Sequence, residues 1–191
     1  MGIFNLLLTI CWAVFLLVWI ISAQKAKRNL RNSGNVRRWL ISRAILIVCI
    51  VVAVMVTNTV HYPTGNPYAH TVGPIWGSIG VLLSLLGIGI AVWARMYLGR
   101  NWGMPMSVKE NPELVMTGPY AHIRHPIYTG VLLALLGTAF VFGWWYGIIV
   151  IAAFGYFTYS ALQEERRLNI EFPETYSAYK KKTKMLVPYI F

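Results

Sequence analysis

IYTGVLLALLGTAFVFGWWYGIIVIAAFGYFTYSAL, residues 127–162, contains no charged side chain. A helix crossing a bilayer needs roughly 20 apolar residues, so this block is too long for one crossing and only just long enough for two. Its middle, FGWWYG at Phe142 to Gly147, supplies two glycines for a tight turn and the aromatic cluster typical of a membrane interface. The block is therefore predicted to be two short helices in a hairpin. Merging it into a single span would move the basic C-terminal tail to the other side of the membrane.

Working outward, Ile3 to Ala23 is an uncharged apolar run, Leu40 to Val60 is broken only by Arg43, and Ile75 to Tyr97 carries only Arg95 near its end. The predicted fold is an all-α integral membrane protein with five transmembrane helices, at about 3–23, 40–60, 75–97, 127–142 and 144–162, in one domain covering 1–191. The composition agrees: 57% of residues are hydrophobic and 12% charged, which excludes an ordinary soluble domain. Every Lys and Arg lies in Lys25–Arg43, Arg95–Arg124 or Arg166–Lys184, and the six acidic residues fall in or beside the last two regions. Five crossings put those three regions on one side. Basic loops remain in the cytoplasm, so the N-terminus is expected outside and the C-terminus inside, in a multi-pass cell-membrane protein.

The formal charge of +11 is read as topology and attraction to membrane lipids, not nucleic-acid binding, because the basic residues flank helices and form no separate module. Cys11 and Cys49 both fall within predicted helices, where packing is their expected role. Gly73, Gly77, Gly80, Ser84 and Gly87 form a stripe of small residues that lets another helix approach closely. In the tail, Gln163 to Ile170 is expected to continue the fifth helix and Pro173 to interrupt it. Glu174 to Lys182 then forms an amphipathic helix suited to lying against headgroups, or else a solvated basic tail.

The polar residues concentrate just before the uncharged block, in GPYAHIRHPIYTG (Gly118 to Gly130), and just after it, at Glu164 and Glu165. Pro126 is placed to open a helix, with His125 at its cap. A helix start offers free N–H groups and a positive dipole end to an anion, and Arg124 adds a charge beside it. Tyr120, His122 and Tyr128 add hydrogen-bonding rings, and antiparallel pairing brings Glu164 and Glu165 to the same depth. Such a site suits a zwitterionic ligand. Two other readings compete: an interfacial belt of anchoring residues, and a metal site, for which the His122–His125 spacing alone is weak. No metal is expected.

These residues also carry a resemblance. GPYAHIRHPIYTG followed by EERRL resembles the RHPxY and EE signature of the isoprenylcysteine carboxyl methyltransferase family, integral membrane enzymes that are similar to phospholipid N-methyltransferases. LGRNWG, ELVMTGPY and EFPETYSAYKKKTKMLVPYI follow the same pattern, so the likeness runs from Leu98 to Ile190. The resemblance implies a membrane methyltransferase with S-adenosylmethionine as donor, bound in a cytoplasmic site built from the loop and the C-terminal helix, within a catalytic region at 98–190. It implies cofactor binding by Tyr120, His122, Arg124, His125, Pro126, Tyr128, Glu164 and Glu165. Arg166, Arg167 and Glu165 are the candidate catalytic residues, with an arginine holding an acidic acceptor. The acceptor is expected to be a lipophilic small molecule arriving from the bilayer, an isoprenylcysteine-like carboxylate, with Trp102, Met104 and Met106 near the junction. No GxGxxG follows a strand, so a Rossmann methyltransferase is excluded. The alternatives are a phospholipid amine N-methyltransferase, a sterol reductase-like enzyme, which parts of the C-terminal pattern also resemble, and a non-enzymatic lipid-binding module.

Overall fold

The computed structural model describes residues 2–23, 72–101, 113–143 and 146–187. The expected span at 40–60, Cys49, and Trp102, Met104 and Met106 lie outside them. Among the described residues there are five α-helices, and they form an all-helical structure: α1 (Ile3–Ala23), α2 (Pro74–Leu98), α3 (Pro126–Phe142), α4 (Tyr146–Glu171) and α5 (Pro173–Lys182). Short 3-10 turns lie at Gly99–Asn101 and Gly118–Ala121. Three of the helices, α1, α2 and α4, are long and apolar enough to cross a membrane; α3, at 17 residues, is a shorter apolar helix.

The tightest contact pairs α2 with α3. Gly80 lies against Gly137, and Gly87 against Gly130, so the two helices run antiparallel. At each of these four glycines a Cβ would meet backbone atoms of the opposite helix. Between the two crossings the Ser84 hydroxyl donates to the Ala134 carbonyl at 3.0 Å, and Ala134 is fully buried. The small-residue stripe of α2 thus has a partner stripe of the same spacing, Gly130, Ala134 and Gly137. Such stripes let backbones approach where hydrocarbon offers no hydrophobic drive for association. Gly77 serves a different neighbour, the Phe4 ring of α1, and Gly73 has nothing near its missing Cβ.

Helix α1 fills the groove beside this pair. Cys11 and Phe15 pack on Ile88, Ala91 and Ala134, and Leu8 on Val81 and Val141. Cys11 is a buried free thiol, as packing predicts. The Trp12 indole N–H donates to the Thr138 hydroxyl at 3.1 Å. At the far end Arg95, 2% exposed, ties two helices together. Its guanidinium donates to the carbonyls of Ser22 at 2.6 Å and Gly99 at 2.8 Å. With Phe4 at Gly77 and Ser22 at Arg95, α1 and α2 run parallel.

Helix α4 joins with less burial. Phe157 stacks on Tyr128 with centroids 4.9 Å apart, and Ala161 packs on Met185 and Leu186. It continues past the uncharged block to Glu171, and Pro173 opens α5 at its first position, where a missing N–H is tolerated. The polar ends of α2, α3 and α4 are joined by the chain around them.

Candidate functional site

Pro126 opens α3 and His125 is its N-cap, without a side-chain capping bond. Both are buried, because the segment after α5 crosses this point. Ile123 and Lys184 form a parallel bridge. The Arg124 amide donates to the Lys184 carbonyl at 2.8 Å and the His125 amide to the Met185 carbonyl at 3.1 Å. The Thr129 hydroxyl donates to the Leu186 carbonyl at 2.6 Å. The helix start is therefore lined on one side by the chain's own C-terminal residues.

Beside it, the end of α4 delivers two carboxylates into different surroundings. Glu165 is 3% exposed and sits among cations. Arg124 Nε donates to its Oε1 at 2.6 Å. The Lys180 ammonium lies 2.8 Å from its Oε2, as an ion pair. His125 Nε2 lies 3.6 Å from Oε1, longer than a hydrogen bond. Glu164 is more open; it accepts from the Tyr128 hydroxyl at 3.2 Å and lies 3.8 Å from His125 Nδ1. The His125 and Tyr128 rings stack nearly parallel, with centroids 5.3 Å apart. Buried His125 Nε2 has no hydrogen-bond partner among the described residues.

Helix α5 forms the outer wall. Tyr176 and Tyr179, three residues apart, are both buried against the protein. The aromatic stripe of this helix is thus used in docking to the site. The Tyr179 hydroxyl donates to the Tyr120 carbonyl at 2.6 Å. Arg124 closes the junction, its Nη1 donating to the Thr183 carbonyl and, at 3.4 Å, to that of Lys180. Burial pushes the Tyr179 phenol up to about 12 and raises that of Tyr120 still further, so both remain neutral in ordinary conditions.

Of the residues singled out in the sequence, the structure brings Arg124, His125, Pro126, Tyr128, Glu164 and Glu165 together. Tyr120 is buried beneath them, its carbonyl committed to Tyr179. His122 stands apart: its side chain is exposed, while its amide donates to the Pro119 carbonyl and its carbonyl accepts from the Lys184 amide. Arg124 serves Glu165 and two carbonyls of the C-terminal segment. Arg166 is exposed, and Arg167 is half-buried. Lys180, Tyr176 and Thr183 were not anticipated. The available signal was TYSAYKKK, in which tyrosines at a three-residue step with a lysine between turns can dock a helix as readily as float it on headgroups.

A cleft of about 270 Å³ opens between α4 and α5, lined by Leu162, Glu165, Arg166, Asn169, Tyr176 and Lys180. A second, of about 310 Å³, lies on the other side of α5 and includes Met116, Thr175, Tyr179 and Lys182. No group of three or more His, Cys, Asp or Glu residues able to hold a metal ion occurs among the described residues.

Known proteins share part of this sequence. The family model for phospholipid methyltransferase (PEMT) matches residues 76–175, from the start of α2 into α5. A protein-S-isoprenylcysteine O-methyltransferase of Schizosaccharomyces pombe is 29% identical over 101 residues, 51% of this chain and 43% of that protein. The nickel-cobalt-cadmium resistance protein NccN of Alcaligenes xylosoxydans xylosoxydans is 32% identical over 63 residues, 32% of this chain and 30% of its own length. The aligned regions thus cover less than half the length of these relatives. With 100 of 191 residues inside the family model and its polar cluster built largely within that stretch, the chain belongs to the phospholipid methyltransferase family, as a membrane protein.

Proposed function

We propose that the protein transfers a methyl group from S-adenosylmethionine to a lipophilic acceptor at the membrane boundary. The observation that carries this reading is the Glu165 cluster: a buried carboxylate clasped by Arg124 and Lys180, beside a half-open carboxylate and an unpartnered imidazole nitrogen. Those groups fit the donor. Glu164 offers an acceptor to an ammonium or to ribose hydroxyls, and the His125 ring, whose Nδ1 lies 3.8 Å from Glu164, offers a polar edge beside it. Pro126 sets the helix start, and Tyr128 fixes Glu164 through its hydroxyl. When bound, the cofactor supplies an activated methyl on a sulfonium, which needs little acid catalysis. The protein's task is then alignment and exclusion of water. Burial of Glu165, His125 and Pro126 under the C-terminal segment serves both.

The acceptor atom has two candidates. The isoprenylcysteine O-methyltransferase relative favours a carboxylate, with Arg166 or Arg167 holding it, and the family model favours a phospholipid amine. A carboxylate attacks without a base, whereas an amine must first be neutral. In this reading the chain crosses the membrane five times, residues 127–162 as a hairpin, with the N-terminus outside and the site on the cytoplasmic face. Residues 98–190 form the catalytic region.

The test is calorimetric titration of S-adenosylhomocysteine into the detergent-purified protein, with Glu165→Gln alongside. Saturable binding by the wild type, weakened at least tenfold in the variant, is the expected result. A folded wild-type sample that does not bind overturns the reading and directs the search to nicotinamide cofactors.

A further inference from the structure

The cleft between α4 and α5 is not needed to explain the clasp on Glu165, and its lining has a chemistry of its own. Five of its six lining residues are polar, and donors outnumber acceptors among them. Arg166 and Lys180 are cations, the Asn169 amide donates two hydrogens, and the Tyr176 phenol one. The single carboxylate, Glu165, is already paired. Tyr176 is the informative member. It is 1% exposed, yet its hydroxyl has no hydrogen-bond partner among the described residues. A buried hydroxyl without a partner is unfavourable, so its retention at the wall of a cleft points to a ligand that completes it. Burial, followed by the neighbouring Glu165 charge, pushes the phenol well above the usual tyrosine range, which keeps it a donor. Lys180, with 52% of its side chain exposed, has donors left over after its contact with Glu165.

The remaining lining residue, Leu162, is the last residue of the uncharged block. The cleft therefore begins where the apolar face of α4 ends. A volume of about 270 Å³ holds a head group and not a lipid. We propose that this cleft binds an oxyanion, carboxylate or phosphate, in the head group of the acceptor amphiphile, through Tyr176, Lys180, Asn169 and Arg166, with the hydrocarbon chain leaving past Leu162 along α4. The proposal rests on the methyltransferase reading for the word acceptor; the anion site itself stands on the cleft. An isoprenoid carboxylate and a phospholipid phosphodiester share the required chemistry, and the proposal gives Tyr176 a role that its packing alone does not explain.

The experiment titrates the full chain, in nonionic detergent micelles, with dodecanoate, dodecyl phosphate, dodecylamine and dodecanol, and separately with S-adenosylhomocysteine. Saturable binding of either acid, with the amine and alcohol at least tenfold weaker, is expected. A preference between the two acids identifies the carboxylate or the phosphate source. Tyr176→Phe and the exposed variant Arg166→Met should each weaken acid binding about tenfold, the size of one lost charge-assisted hydrogen bond. Tyr176→Phe should not lower the melting temperature, because its hydroxyl holds nothing in the protein; a lowered melting temperature assigns Tyr176 a structural bond and overturns its role here, leaving Arg166→Met to decide the cleft. Equal binding of amine and acid, or acid affinity unchanged in Arg166→Met, overturns the proposal. Homocysteine-ligand binding without acid binding overturns the cleft assignment and leaves the methyltransferase reading standing. Acid binding without it keeps the anion site and removes that reading.

Discussion

The two ends of this bundle are held together by opposite means. Along the apolar length of α2 and α3, helices meet backbone to backbone through Gly80, Ser84 and Gly87 on one side and Gly130, Ala134 and Gly137 on the other. At the polar end, α4, α5 and the segment before α3 join through long side chains reaching across space: Arg124 to Glu165, Lys180 to Glu165, Tyr179 to Tyr120. The first contact has little freedom to adjust, because backbone meets backbone. The second centres on charge-assisted bonds around a carboxylate, whose partners come from two segments outside its own helix. A close-packed pair thus supplies the reference frame, and the polar cluster is assembled at its edge by side chains.

Filling the glycine seam should break the comparison most severely. Gly87→Val or Gly130→Val puts a branched side chain into the opposing backbone, and overpacking of this kind costs about 3 kcal/mol or more. Both variants should lose cooperative thermal unfolding in detergent or fail to accumulate as folded protein. Unfolding at the wild-type temperature in either would show that the two helices separate easily. Next in size is Arg124→Met, which leaves Glu165 buried with half-exposed Lys180 and the more distant His125 for compensation. A loss of about 2–3 kcal/mol is expected. A double-mutant cycle with Glu165→Gln should recover most of that loss, since the uncompensated charge is its cause. Strictly additive effects would mean that the pair does not couple, and that the polar end is held by α5 docking alone.

How legible this was depended on the kind of contact. Apolar runs announce helices by length, and within the block at 127–162 one helix ends at Phe142 and another begins at Tyr146. Pro126 marked a helix start because proline's missing N–H leaves few other positions open to it, and Pro173, expected as an interruption, opens α5 for the same reason. The α2 glycines signalled a close neighbour, but which helix it was could be read only by finding the matching spacing in α3. Glu165 and Arg124 were recognisable as polar residues at facing helix ends. Their pairing was not, because a guanidinium beside a helix start reads equally well as an anion site or as a partner for a carboxylate. Tyr176 and Tyr179 were legible as a face and illegible as to what that face covers; amphipathicity gives a direction relative to the helix, not the identity of the surface it meets. The span expected at 40–60 lies outside the described residues.

The smallest of these effects sharpens the comparison within the apolar region itself. Trp12 donates to Thr138, and Thr138 in turn donates to the Ala134 carbonyl one helical turn earlier. Thr138→Val keeps the shape and removes the interhelical acceptor. If α1 is held mainly by packing of Leu8, Cys11 and Phe15, the loss should be about 0.6–1 kcal/mol, the usual range for one interhelical hydrogen bond in a membrane protein. Tryptophan fluorescence of the variant should then show α1 still docked. A larger loss with a red shift of the emission would mean that this single bond anchors α1, and that the apolar region, like the site end, depends on a polar contact to fix its register. Gly89→Ala serves as the baseline for the helix pair, because nothing lies within 4 Å of its missing Cβ and the substitution meets no neighbour. A destabilisation there comparable to that of Gly87→Val would remove the distinction between seam and surface on which the close-packed frame depends.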